Sequence, residues 1–86
     1  MNIYLKSKVE EIDLKVLGFE KKNTFLCKQI KVNKNGLAKY IIRVDLNKKP
    51  SKVVVAKLTR NGYQTIRTKR RLIKDLIELN YVMKGN

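Results

Sequence analysis

The chain has 86 residues, 43% of them hydrophobic, and its 21 Lys and Arg against 7 Asp and Glu give a net charge of +14. That length and apolar content bound a single domain with one modest core and exclude a disordered polyelectrolyte. One cysteine, no histidine and no apolar run long enough to span a membrane exclude an internal disulfide and a zinc site, and point to a reduced, cytoplasmic protein without metal or cofactor.

In chain order, residues 2–6 suit either a brief strand or an extension of the helix that follows. Ser7-Lys8-Val9-Glu10 matches a capping box, with Ser7 accepting from the Glu10 amide. Val9, Ile12, Val16 and Leu17 recur at helical spacing, and Glu10, Glu11 and Asp13 suit the positive end of a helix dipole. The spacing predicts a helix over 8–17, closed by Gly18 in the left-handed cap with Phe19 folding back. Thr24–Lys34 and Leu37–Leu46 flank Asn35-Gly36, a strong two-residue hairpin signal. Pairing Lys34 with Leu37 puts Phe25, Cys27 and Gln29 on one face with Leu46, Val44 and Ile42. Lys28, Ile30 and Val32 then share the other face with Arg43, Ile41 and Lys39. The first face is the more apolar, so Phe25, Cys27 and Tyr40 are expected to meet the core.

Asn47–Ser51 reads as a basic loop in which Pro50 blocks strand pairing. Lys52–Arg60 reads as a third strand, with its buried face undecided, and Asn61-Gly62 as a turn into a short fourth strand, Tyr63–Arg67. Thr68 suits an N-cap for a second helix reaching about Asn80, with Leu72, Ile73, Leu76 and Ile77 on its inner side. Residues 82–86 read as a frayed tail. The expected fold is α+β, in the order α-β-β-β(-β)-α, an antiparallel meander with both helices on one face.

The charge is unevenly spread. Residues 21–71 hold sixteen of the Lys and Arg and a single acid, Asp45, between two nearly neutral ends. Charge so concentrated repels itself, and the expected partner is a polyanion that neutralises it, nucleic acid above all. Lys69, Arg70 and Arg71 open the second predicted helix, where cations oppose the dipole and free amides face an incoming phosphate. Lys31, Lys34 and Lys39 cluster at the hairpin tip, and Lys48, Lys49 and Lys52 around the basic loop. Arg60 and Arg67 extend the set, and Arg43 and Lys28 lie inside it, so the whole reads as one continuous basic face. With Phe25 and Tyr40 turned inward, Tyr63 alone could stack a base, which favours duplex or folded nucleic acid over a stretched single strand.

The order of elements, with its basic run at the start of the last helix, resembles the double-stranded-RNA-binding domain. The resemblance implies a phosphate clamp at Lys69, Arg70 and Arg71 and a groove-contacting loop at Lys31, Lys34 and Asn35. The loop lacks that family's Gly-Pro-x-His element, and Leu72, Ile73, Leu76 and Ile77 stand where it has small residues. The function expected is therefore a non-enzymatic module on the phosphate backbone of duplex or structured RNA or DNA, with little base readout. A second class is a phage- or plasmid-type inhibitor docking its basic face on an enzyme or a protein–nucleic-acid complex, for which exposed Ile30, Val32 and Ile41 would suit. A third is a histidine-free toxin-like ribonuclease using Arg60, Tyr63 and Arg67.

Overall fold

The computed structural model describes residues 2–32 and 38–85. Among them, seven strands form one antiparallel sheet: β1 Asn2–Leu5, β2 Glu20–Lys22, β3 Phe25–Val32, β4 Ala38–Asp45, β5 Lys52–Thr59, β6 Gly62–Ile66 and β7 Val82–Gly85. Two short helices, α1 Glu11–Val16 and α2 Lys74–Glu78, accompany them, the second led by a 3₁₀ turn at Arg70–Ile73. The fold is α+β, as expected, with more strand and less helix than the sequence indicated. No helix among the described residues is long and apolar enough to cross a membrane.

The strand order is β2-β3-β4-β5-β1-β7, and β6 pairs with β5 beside β1. One edge of β5 is therefore shared: β1 takes its start, at Val53 and Lys52, and β6 takes its later half, from Val55 to Thr59. The expected meander holds from β2 to β6, but the two termini form strands as well. Residues 82–85, read as a frayed tail, pair with all four residues of β1. The Tyr4 ring lies over Gly85, where an added Cβ would come within 2.1 Å of it, so any other residue there requires the ring to move. A terminal strand on each side of the helices also departs from the double-stranded-RNA-binding order.

Both helices end in the same device. Gly18, at φ 99°, donates to Lys15 O while Phe19 N reaches Leu14 O, the paired bonds of a Schellman cap. Asn80, at φ 60°, donates to Ile77 O while Tyr81 N reaches Leu76 O. The expected cap at Gly18 is thus present, with Phe19 buried behind it. The start of α1 lies elsewhere. Asp13 Oδ2 accepts from Glu10 N at 2.8 Å, so the box closes on Glu10 rather than Ser7 and the helix has only six residues. Its inward side chain is Leu14, whereas Ile12 and Val16, expected in the buried stripe, are 61% and 79% exposed. With so short a helix, the chain entering through Val9 and leaving through Leu17 and Phe19 sets which side faces in.

The core lies between helices and sheet: Leu14, Phe19, Leu72, Ile73 and Leu76 above, and Leu5, Leu26, Tyr40, Ile42, Val44, Val53 and Val55 below. Val53 and Val55 settle the face of β5. The decisive correction concerns β3. Leu26 pairs with Val44, Lys28 with Ile42, Ile30 with Tyr40 and Val32 with Ala38, one residue out of the register set by an Asn35-Gly36 turn. That turn, with Asn33, Lys34 and Leu37, lies outside the described residues. A slip of one residue moves every side chain of a strand to the other face. Leu26, Lys28 and Ile30 therefore point to the helices, and Phe25, Cys27 and Gln29 point away from them. The alternation had misled because Lys28 looked like a surface residue. Its ammonium is instead 2.7 Å from Asp75 Oδ2 of α2 and 5.8 Å from the Phe19 ring centroid, so an inward lysine keeps a counter-charge.

The later elements need smaller changes. The β5–β6 turn is Arg60-Asn61, with Gly62 following at φ 99°, a shift of two residues that leaves the faces unchanged. Leu72, Ile73 and Leu76 are buried as expected, but Thr68 caps nothing: the 3₁₀ turn starts from Lys69 without a side-chain cap.

Candidate nucleic-acid interface

Helices cover one face of the sheet, and among the described residues none packs on the other. Side chains of neighbouring strands that point the same way form that open face. From the observed register they are Glu20 and Lys22 of β2, then Phe25, Cys27, Gln29 and Lys31 of β3. Lys39, Ile41, Arg43 and Asp45 of β4 come next, followed by Lys52, Val54, Ala56 and Leu58 of β5. Tyr63 and Thr65 of β6 lie beside them, and Asn2 and Tyr4 of β1 with Met83 and Gly85 of β7 continue the face past Lys52.

The acids are distributed by layer. Glu10, Glu11 and Asp13 lie at α1, and Asp75 and Glu78 in α2, leaving Glu20 and Asp45 on the open face. All four ion pairs recorded among the described residues involve a helix carboxylate: Lys15–Glu11 at 2.9 Å, Lys21–Glu11 at 3.4 Å, Lys28–Asp75 at 2.7 Å and Lys74–Glu78 at 3.7 Å. The hydrogen bond from Lys15 holds the Glu11 carboxyl below its ordinary range, with Lys21 adding to the effect against a smaller desolvation cost. Lys22, Lys31, Lys39, Arg43 and Lys52 have no ion-pair partner among the described residues. Lys31 and Lys39 are direct cross-strand partners, a like-charged pair with no ion pair among the described residues to relieve its repulsion.

Two aromatic groups sit within this field between β3 and β6, with Tyr4 further along the face beside Lys52. The Arg43 guanidinium lies 4.4 Å from the Phe25 ring centroid, a stacked cation–π pair. Tyr63 Oη accepts from Gln29 Nε2 at 3.3 Å. β5 and β4 lie between those residues, at ~4.8 Å per strand step, so the Tyr63 side chain must run along the sheet toward β3 rather than stand up from it. Ala56, next to it on an uncovered face, is 4% exposed, while Tyr63 itself keeps 40% of its surface open. Beside the Phe25–Arg43 pair is a hollow of about 310 Å³ reaching Lys48, Lys52 and Thr65. Another of about 330 Å³, between Tyr63, Gln29, Cys27 and Lys22, lies on the same face.

The residues expected to form one basic face divide between two. Lys31, Lys39, Arg43 and Lys52 share the open face, with Lys48 and Lys49 exposed in the β4–β5 turn. Arg60 lies in the β5–β6 turn and Arg67 follows β6, both exposed. Lys28 is on the helix side. Lys69, Arg70 and Arg71 are exposed but belong to the helix layer, held there by Leu72 and Ile73 beneath them. Their run opens a 3₁₀ turn and a five-residue helix, too short to present the expected dipole and amide site for phosphate. Arg71 nevertheless shares a groove with Lys31 and Lys74 along the edge of β3, which Asp75 and Glu78 also line. Lys34 lies outside the described residues. The sequence reading missed Phe25, assigned to the core, and Cys27, which is half-buried on the open face. The usable signal was the match of Leu26 and Ile30 with Val44 and Tyr40, three of them among the buried residues.

Comparison with known proteins gives no matching family model, no matching curated protein and no matching solved structure.

Proposed function

We propose that this chain is a nucleic-acid-binding module that receives phosphates on the open face of its sheet and on the adjoining Lys48–Lys49 turn. The observation that carries the reading is the distribution of counter-charge: the recorded ion pairs all involve helix acids, while five open-face cations lack an ion-pair partner among the described residues. Cations that outnumber the acids on their face and have no ion pair among the described residues gain most from a polyanion, which releases its condensed counterions as they bind. Lysines act there as point charges, and Arg43 adds a planar fork for phosphate oxygens. The inhibitor alternative is weakened by the fold, since Ile30 packs against the core and Ile41 alone of its three apolar residues is described on the open face.

The test is an anisotropy titration against labelled nucleic acid over a salt series. The expected result is a steep loss of affinity with salt. Lys39→Gln with Arg43→Gln should reduce the log–log slope by about 1.5, at roughly 0.7–0.9 per phosphate contact. Lys15→Gln with Lys74→Gln removes equal charge from the helix face and should leave the slope nearly unchanged. Equal effects of the two double variants would refute a site on the open face. An absence of binding at low salt would refute the function itself and turn the search to acidic protein partners.

A further inference from the structure

Resting on that reading, we infer that the open face takes a single-stranded segment, with bases stacked on the Phe25–Arg43 pair and on Tyr63. The expectation of a duplex depended on Phe25 facing the core, and the observed register removes that premise. A duplex presents phosphates outside and bases inside, so it can use the cations of this face but not its rings. A single strand uses both, because each base has two open faces for an aromatic ring or a guanidinium plane.

The geometry fits this occupant in four respects. Arg43 and Phe25 stack at 4.4 Å, and a stacked guanidinium is itself a flat, cationic platform. Tyr63 runs along the sheet, tied by its hydroxyl to Gln29, so its orientation is fixed before any base arrives. The two hollows beside these groups have room for flat rings, one bordered by Lys48 and Lys52 with Asp45, the other by Lys22 with Glu20. Apolar Ile41 and Val54 floor the face between the polar groups, which suits unstacked bases better than a charged backbone alone.

Cys27 supplies a reporter. It is the chain's sole thiol, it points to the open face, and its cross-strand partner is Arg43. A strand laid across the pair should shield it from alkylation.

The experiment compares an oligonucleotide of about 12 nucleotides, a length within the usual range for single-strand sites, with its blunt duplex, each in ribo and deoxyribo forms. We expect the single strand to bind at least about tenfold more tightly than the duplex. Phe25→Leu and Tyr63→Leu should each weaken single-strand binding about tenfold with the salt slope unchanged, and leave duplex binding as it was. Saturating single strand should slow N-ethylmaleimide labelling of Cys27 in the unaltered protein, a readout that holds even if Phe25→Leu fails to fold. Steep salt dependence with duplex preferred, or with both leucine variants binding as before, would overturn the single-strand inference and leave the phosphate reading standing. Loss of all nucleic-acid binding would overturn both. The ribo and deoxyribo arms identify which backbone the face accepts.

Discussion

The two faces of the sheet carry cations under different rules. On the helix side each recorded lysine partner has a carboxylate: Asp75 answers Lys28, Glu78 answers Lys74, and Glu11 answers both Lys15 and Lys21. On the open side Lys31 faces Lys39 directly and Arg43 leans on an aromatic ring. The helix side holds five of the seven acids and supplies the core, so its paired charges serve the fold, while Lys69, Arg70 and Arg71 at its margin have no ion-pair partner among the described residues. The open side contributes little to the core and retains its charge, an arrangement that favours association with something negative. Net charge alone would have assigned both faces the same role.

Adjacent residues on β3 offer the sharpest way to break the comparison. Leu26 is fully buried beneath the helices and Cys27 points away from them. Leu26→Ala should lower unfolding stability by about 2–5 kcal/mol, measured by urea denaturation, while Cys27→Ala should cost under about 1 kcal/mol. A reversed order would put the other face of β3 inward and remove Phe25 from the open face.

A second, smaller effect tests the terminal pairing that closes the sheet. Gly85→Val sets a side chain against the Tyr4 ring, which must swing aside. The expected cost is about 1–3 kcal/mol by overpacking. Tyr4→Ala in the same chain should relieve most of it in a double-mutant cycle, whereas additive losses would mean that the ring does not cover Gly85.

The smallest effect lies in acid titration of the helix side. The folded-state pKa of Glu11 is depressed below the ordinary 4.5, chiefly by the Lys15 hydrogen bond. Its stabilisation is therefore present above that ordinary value and is lost as pH falls through the depressed one. Glu11→Gln should make stability slightly less pH-dependent below about pH 4.5 and leave nucleic-acid affinity unchanged. Because the group is exposed, raising the salt should shrink the difference further.

Several of these features were legible in the residue order. Gly18 had to be a cap because it stands between a helical stripe and a large apolar side chain, and Leu72, Ile73 and Leu76 lay on one side at any helical pitch. The inward alternation of Tyr40, Ile42 and Val44 was also plain. The candidate site was legible only as a composition: the cations were visible, but which of them share a face was not. Lys28 and Phe25 exchanged places for a single reason, that the register was counted from a turn instead of from the partners each strand would meet.

By itself the sequence determined the α+β class, the approximate strands from β3 to β6, the buried side of the second helical segment and the large positive excess. Those properties are local, since period-two alternation, helical spacing and capping residues act within a few positions of each other. Tertiary structure alone decided that the terminal strands pair beside β5, that Asp75 receives an inward Lys28, and that Phe25 and Tyr63 share the uncovered face. Each of these depends on groups far apart in the chain, whose mutual burial and charge compensation are weighed only once the layers meet.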